Sequence, residues 1–296
     1  MIRELSVRQS GMARRLIQFF QKSWPEQRAS FGFRYFRWFP GAVLPLRLPY
    51  GGWWLARADF CGLALLSDSF EPREVTFTDR FLRPGMVVLD IGAHHGFYAV
   101  LASKRVQPGG IVFAFEPSPR ERKKLVAHLR LNRCQNVHVE SVALGSNDGE
   151  ETLFVVDGSE TGCNSLRPPR VNQAVSQLRV QQDRLDAFLE MRQIDRVDFI
   201  KMDVEGGERR VLEGAVRLLD RRPRPLVLCE VQDLRTQAWG YPAREIIQFL
   251  SMRGYEWFSP DGEGRLSPVD ADRDSYDGNF VAVPQERFPE MRARFG

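Results

Sequence analysis

The stretch Val87-Val88-Leu89-Asp90-Ile91-Gly92-Ala93-His94-His95-Gly96-Phe97-Tyr98 reads as a buried strand ending in an acid, a glycine-bearing turn, and the start of a helix. Gly92 permits a tight turn and close approach of a ligand to the backbone. The helix start behind Gly96 offers free N–H groups. Such a turn suits a nucleotide-like cofactor. A dinucleotide site calls for G-x-G-x-x-G with the turn amides on a pyrophosphate. Here the spacing is Asp90-x-Gly92-x-His94-x-Gly96. The middle glycine is missing and an acid precedes the turn. That acid repels a pyrophosphate and suits a cationic amine or sulfonium, which points to S-adenosylmethionine (SAM) rather than NAD.

Outward from this turn, short apolar runs alternate with helical patterns. The predicted strands are Met86–Ile91, Ile111–Phe115, Val137–Ala143, Val197–Met202 and Leu226–Glu230, with Phe97–Arg105, Pro119–Asn132, Leu185–Glu190, Glu208–Asp220 and Ala243–Arg253 as helices. Continuous apolar strands separated by amphipathic helices predict a doubly wound α/β fold, a parallel sheet covered on both faces. Tyr255–Phe258 and Asn279–Val283 are expected to close it as an antiparallel pair. Residues 157–177 are polar and read as a long loop of the kind that often carries function.

The acids at the strand ends carry the candidate chemistry. Glu116, before Pro117, ends the second strand, where such a fold places an acceptor for both ribose hydroxyls. Ala143 and Leu144 end the third and offer an apolar surface to adenine, while Asn147-Asp148-Gly149 reads as a turn. Asp203 and Glu205 fall at the carboxyl edge of the fourth, with Glu230 on the next. Glu208 reads as a structural acid at a helix start. Methyl transfer to a hydroxyl needs alignment, exclusion of water and a positioned base. Asp203, Glu205, His94 and His95 are the base candidates, with His95 equally readable as a wall of the pocket. Crowding among Asp203, Glu205 and Glu230 raises carboxyl pKa values toward usefulness. The same trio suits Mg²⁺, but carboxylates at strand ends serve equally as hydrogen-bond acceptors, so no metal is predicted.

The blocks DIGAHHGFYA, FAFEPSP, VALGSNDGE, RLDAFL and DFIKMDVEGGERRVLEGA, in this order, resemble the FkbM family of SAM-dependent methyltransferases. The resemblance spans roughly residues 70–284, much of a domain-sized chain. It implies a class I, Rossmann-like methyltransferase fold: a seven-stranded sheet with an antiparallel last strand. It also implies SAM as cofactor and O-methylation of a sugar, polyketide or related metabolite. On this sequence it places Asp90, Gly92, Ala93, His94 and Gly96 in the cofactor loop, Glu116 on ribose with Pro117 beside it, and Asp203 and Glu205 beside the transferred methyl. His94 departs from the family, which usually has Asn there; both types are among those enriched at positive φ.

The rest of the chain adds bounds. The 296 residues are 43% apolar and 27% charged, as in ordinary globular proteins, and no apolar run is long enough to span a membrane. Cys61, Cys134, Cys163 and Cys229 are scattered and form no C-x-x-C pair, so reduced thiols are expected. With no charged-then-apolar leader, a cytoplasmic protein is predicted. Residues 1–38 hold eight basic and two acidic side chains, so the rest of this +4 chain nets −2. The basic pI therefore gives no reason to expect nucleic acid. Residues 11–22 read as a basic amphipathic helix, suited either to a membrane surface or to packing on its own domain or a twin subunit. The predicted division is a basic, aromatic extension (1–49), a hairpin-and-helix cap (50–84) and the methyltransferase domain (85–296). Two rival classes, an NAD-dependent oxidoreductase and a non-catalytic binding protein with a degenerate cofactor fold, separate from the methyltransferase by cofactor-dependent thermal shift.

Overall fold

The structure is a computed structural model, and its description covers residues 23–296. The basic helix expected over residues 11–22 lies outside them. The chain divides into two compact units: one runs up to Leu46 and adds Leu55–Phe70, and the other comprises Arg47–Trp54 and Glu71–Gly296. The sequence reading placed residues 50–84 in a cap; the contacts group Glu71 and the helix Pro72–Phe81 with the larger unit.

In the smaller unit the helix Trp24–Trp38 starts on a capping box, with the Ser23 N–H donating to Glu26 Oε2 at 2.8 Å. The helix Phe60–Leu66 is capped by Asp59, which accepts from the Gly62 N–H at 2.8 Å. The Arg28 guanidinium donates to the Leu66 carbonyl at 2.7 Å and ties the two helices together. Between these helices in the chain come β1 (Leu44–Arg47) and β2 (Trp53–Ala56), a two-stranded pair whose residues are divided between the two units.

The larger unit holds the remaining strands: β3 (Val87–Ile91), β4 (Ile111–Phe115), β5 (Val137–Glu140), β6 (Ala143–Leu144), β7 (Gly149–Val156), β8 (Val175–Asp183), β9 (Phe199–Met202), β10 (Leu226–Gln232), β11 (Tyr255–Pro260), β12 (Leu266–Pro268) and β13 (Asp277–Pro284). Their main sheet has the order β12-β11-β13-β10-β9-β3-β4-β5. β9, β3, β4, β5 and β10 run parallel, and β13 is antiparallel to both β10 and β11. Apart from β12, this is the expected class I arrangement with its reversed last strand. The expected count of seven becomes eight because Leu266–Pro268, between the two predicted closing strands, pairs antiparallel with β11.

Side-chain alternation assigns the two faces of the sheet. Ile200 and Met202 of β9 join an apolar cluster with Leu185 and Phe188 of the helix Leu185–Met191, Val211 of Glu208–Glu213 and Ile246 of Arg244–Ser251. Phe199 points the other way, onto Phe81 with ring centroids 5.4 Å apart. Lys201 shares the face of Phe199, because side chains two apart on a strand point alike. The predicted helix over 208–220 is broken into Glu208–Glu213 and Val216–Asp220.

Two further expectations change. The third strand ends at Glu140, and Ala143–Leu144 instead pairs with β8 in a small sheet of order β6-β8-β7. Of the segment read as loop, residues 157–177, only 175–177 join that sheet, as the start of β8, and Ser165 makes an isolated bridge to Phe154. β8 is exposed along one side, where it carries Val175, Gln177, Arg179 and Gln181, and its other face includes Ser176 and Gln182, so its apolar alternation is too weak to read.

Candidate active site

At the carboxyl ends of β3, β4 and β9 lies a crevice enclosing about 610 Å³, its open mouth included. β3 is the point where successive crossovers turn from one side of the sheet to the other, since β4 and β5 lie on one flank and β9 and β10 on the other. Ligands of open α/β sheets bind at such switch points.

The cofactor turn has the backbone its sequence suggests. Gly92 and Gly96 have φ of +82° and +88°, and His94 has φ +48°. A Cβ on Gly92 would run into the Asp203 carbonyl of the neighbouring strand end, so glycine lets the two strand ends close together. The His94 N–H donates to Glu116 Oε2 and the Ser118 N–H to Glu116 Oε1, each at 2.8 Å. Glu116 thereby joins the turn after β3 to the loop after β4. Burial pushes its carboxyl up to about 8, against the pull of those two N–H groups.

Of the residues singled out by sequence, Gly92, His94, Glu116, Pro117, Ala143, Leu144 and Asp203 line the crevice. Asp90, Ala93 and Gly96 are buried beside it and are not part of its wall. Asp90 stands next to Lys201 across the β3–β9 pairing, and its Oδ2 has no hydrogen-bond partner. Burial raises its carboxyl to about 7.

His95 is not in the wall either. Its ring is 3% exposed, stacks on His94 at 3.6 Å, and has Nε2 2.8 Å from Glu121 Oε2 and 3.0 Å from Lys124 Nζ. Burial depresses its pKa to about 4. A neutral imidazole held this way ties the turn after β3 to Glu121 and Lys124 of the helix Pro119–Leu131. His94 Nε2 lies 3.0 Å from Thr161 Oγ1, which fastens the turn to the 3₁₀ segment Thr161–Cys163. Thr161, Gly162, Asn164, Ser165 and Leu166 of the loop flagged in the sequence line the crevice, joined by Trp239, which sequence reasoning passed over. An isolated tryptophan before a glycine gives no local signal of a pocket wall.

A cluster of titrating groups stands at the end of β9. One ligand oxygen each from Asp203, Glu205 and Glu230 falls within 4.8 Å of the others. Burial, then Asp203, raise Glu205 to about 8; burial with Asp203 and Glu205 pushes Glu230 well above the usual range. Glu230 Oε2 is buried without a hydrogen-bond partner. Arg235 Nε is 2.8 Å from Glu205 Oε2. Glu208 has the structural place expected for it, accepting from the Val204 N–H at 2.9 Å and the Gly206 N–H at 3.3 Å.

Lys201 is the site residue that the sequence left unread. It is 2% exposed, and its Nζ donates to Asp203 Oδ2 at 3.2 Å and Asn279 Oδ1 at 3.1 Å, with Glu71 Oε2 at 4.0 Å. Burial presses its pKa down, but Asp203, Glu71 and Glu230 together hold it well above normal. Glu71 in turn accepts from the Tyr98 hydroxyl.

The chemistry of the crevice suits the cofactor inferred above. Its lining holds two acids, Glu116 and Asp203, and, among the described residues, neither lysine nor arginine. Between the acids lies an apolar slab that includes Phe115, Val142, Ala143, Leu144 and Leu153. A diphosphate finds no counter-charge there; a flat base, a diol and a cationic sulfur each find a partner.

Over 147 residues the chain is 29% identical to Methyltransferase 1 of Beauveria bassiana, covering 43% of this chain and 57% of that protein. Over 208 residues it is 28% identical to the AMB antimetabolite synthetase AmbE of Pseudomonas aeruginosa, covering 59% of this chain and 10% of that one. The chain thus spans little more than half the length of the first and a small part of the second. A crystal structure of methyltransferase FkbM from Methylobacillus flagellatus KT matches 76% of this chain and 55% of its own, at 18% identity and a TM-score of 0.43. The model of the methyltransferase FkbM domain matches residues 90–257, more than half of the sequence and the whole span from Asp90 through Asp203 to Trp239. The chain therefore belongs to the FkbM methyltransferase family.

Proposed function

We propose that the protein moves the methyl group of SAM to a hydroxyl oxygen of a sugar, polysaccharide or secondary metabolite. One observation carries the cofactor half of this reading: among the described residues the crevice at the switch point is lined by two acids and by neither lysine nor arginine. Glu116 would hold the ribose hydroxyls, the slab around Ala143 and Leu144 the adenine, and Asp203 the region of the sulfonium. The cofactor supplies an electrophilic methyl whose departure leaves a neutral thioether.

The chain's own residues supply orientation and a proton acceptor. That Asp203 lines the crevice and is held through one oxygen by Lys201 supports it as the group that takes the acceptor's hydroxyl proton. Glu205 and Glu230, both raised by burial and then by Asp203, crowd this carboxylate. A positioned base contributes roughly 10²–10⁴-fold. His95 is a positioning residue in this account.

The test is incubation with isotopically labelled SAM and saccharide, lipid-linked saccharide and metabolite pools, followed by mass spectrometry of labelled products. Label on a hydroxyl oxygen, lost in Asp203→Asn with SAM affinity nearly kept, is the expected result. Label on nitrogen or carbon would overturn the O-methylation. A melting temperature raised by NADH and unmoved by SAM or its demethylated product would overturn the cofactor.

A further inference from the structure

Adjoining the crevice is a second groove of about 280 Å³, and its charge is reversed. Arg167, Arg170 and Arg235 line it, together with Glu205 and Ser165. Ser165 belongs to both cavities. The partition between them is the turn at Glu205, whose φ is +56°. The Glu205 carbonyl accepts from Ser165 Oγ at 2.9 Å and from Trp239 Nε1 at 3.2 Å, so the two residues that line the crevice also brace the turn.

Two of the three guanidiniums are incompletely neutralised. Arg235 pairs with Glu205 at 2.8 Å. Arg167 lies over the Trp239 ring at 4.8 Å, with the Glu151 carboxylate only at 3.7 Å. Arg170 is exposed and donates to a neutral amide, Gln237 Oε1, at 2.6 Å. Guanidinium stays charged at all relevant pH values and matches carboxylate and phosphate oxygens with its planar fork. Stacking on Trp239 fixes the plane of Arg167 before any ligand arrives.

We infer that this groove holds an oxyanion of the methyl acceptor, so that the acceptor is a hydroxyl compound carrying a phosphate or carboxylate group, for instance a sugar phosphate or uronic acid. The inference rests on the methyltransferase reading and makes it more specific. Glu205 links the two halves: its carboxylate belongs both to the acid cluster with Asp203 and to the arginine groove. An acceptor seated with its anion on Arg167 and Arg170 brings its hydroxyl toward Asp203 across that partition.

Calorimetric titrations of glucose 1-phosphate, glucuronate and glucose into protein loaded with S-adenosylhomocysteine test this. The expected result is at least tenfold tighter binding of the two anions than of glucose, weakened by added salt. The double variant Arg167→Glu, Arg170→Glu should lose that preference, and Arg167→Lys, Arg170→Lys should keep part of it; circular dichroism checks that each is folded. Equal affinity for all three compounds, an absence of binding by all three included, overturns the inference. So does a preference that survives the charge reversal. S-adenosylhomocysteine affinity is measured separately, so failure to bind it would count against the cofactor reading alone.

Discussion

Lys201 Nζ lies 3.2 Å from the Asp203 carboxylate, two residues along the same strand end, and both groups meet at the buried edge of the crevice. Side chains two apart share a face of a strand, so β9 delivers cation and anion to one side together. The pair fixes which Asp203 oxygen is engaged and which is left for chemistry. Lys201→Met removes the cation and leaves Asp203 and Glu71 uncompensated. Breaking a buried pair on one side costs about 3–5 kcal/mol. Denaturant melts should show a loss of that order, with methyl transfer reduced further than stability accounts for. A variant as stable and active as the native chain would remove Lys201 from the site.

Glu116→Ala should weaken SAM binding by roughly 1–3 kcal/mol, the cost of leaving buried hydrogen-bond partners unsatisfied. Because Glu116 also accepts from the His94 and Ser118 N–H groups, some of this loss comes from a loosened turn. Glu116→Gln keeps an acceptor for one N–H and should fall between. Titration calorimetry distinguishes the three proteins; identical affinities would deny Glu116 a ribose role.

Stability should fall as pH rises from 6.5 to 8. In the folded protein burial raises Asp90 and Glu208 to about 7 and Glu116 and Glu205 to about 8, above their unfolded values. Over this window the folded state therefore binds more protons than the unfolded state, and stability declines with pH. His95, depressed to about 4, is neutral when folded and destabilises only as pH drops below its ordinary value of 6.5, outside the window. Scanning calorimetry across that range gives the slope. Glu230→Gln, at a carboxyl held protonated by burial and its acid neighbours, should raise the melting temperature at pH 8 while lowering turnover. A melting temperature rising from pH 6.5 to 8 would contradict the burial of these acids.

Gly92→Ala should be severe for two separate reasons. Its φ of +82° disfavours any Cβ, and that Cβ would strike the Asp203 carbonyl. Strain at such a backbone position costs about 1–3 kcal/mol, before the clash is counted. Gly149→Ala is the comparison: φ is +150° there, with nothing within 4 Å of the added carbon. Only the first variant should lose SAM binding. Equal behaviour of the two would mean that the strand ends can part without consequence.

The sequence by itself determined the alternation of strands and helices, the cofactor turn with His94 at positive φ, and the placement of Glu116 and Asp203 at strand ends. These are local properties: apolar period, glycine position and the acid closing a strand are written within a dozen residues. The tertiary structure alone decided what those residues meet. Lys201 reads locally as an interruption in a buried strand and becomes intelligible only beside Asp203 and the two distant residues Glu71 and Asn279. The position of His95 behind the turn, Trp239 in the crevice wall, and the arginines gathered next to Glu205 are likewise products of chain crossings. β7 and β8 stayed hidden because an exposed face relaxes the period-two pattern that would announce a strand. Burial, charge pairing and raised pKa values depend on neighbours far along the chain, and a linear pattern carries no record of which neighbours those are.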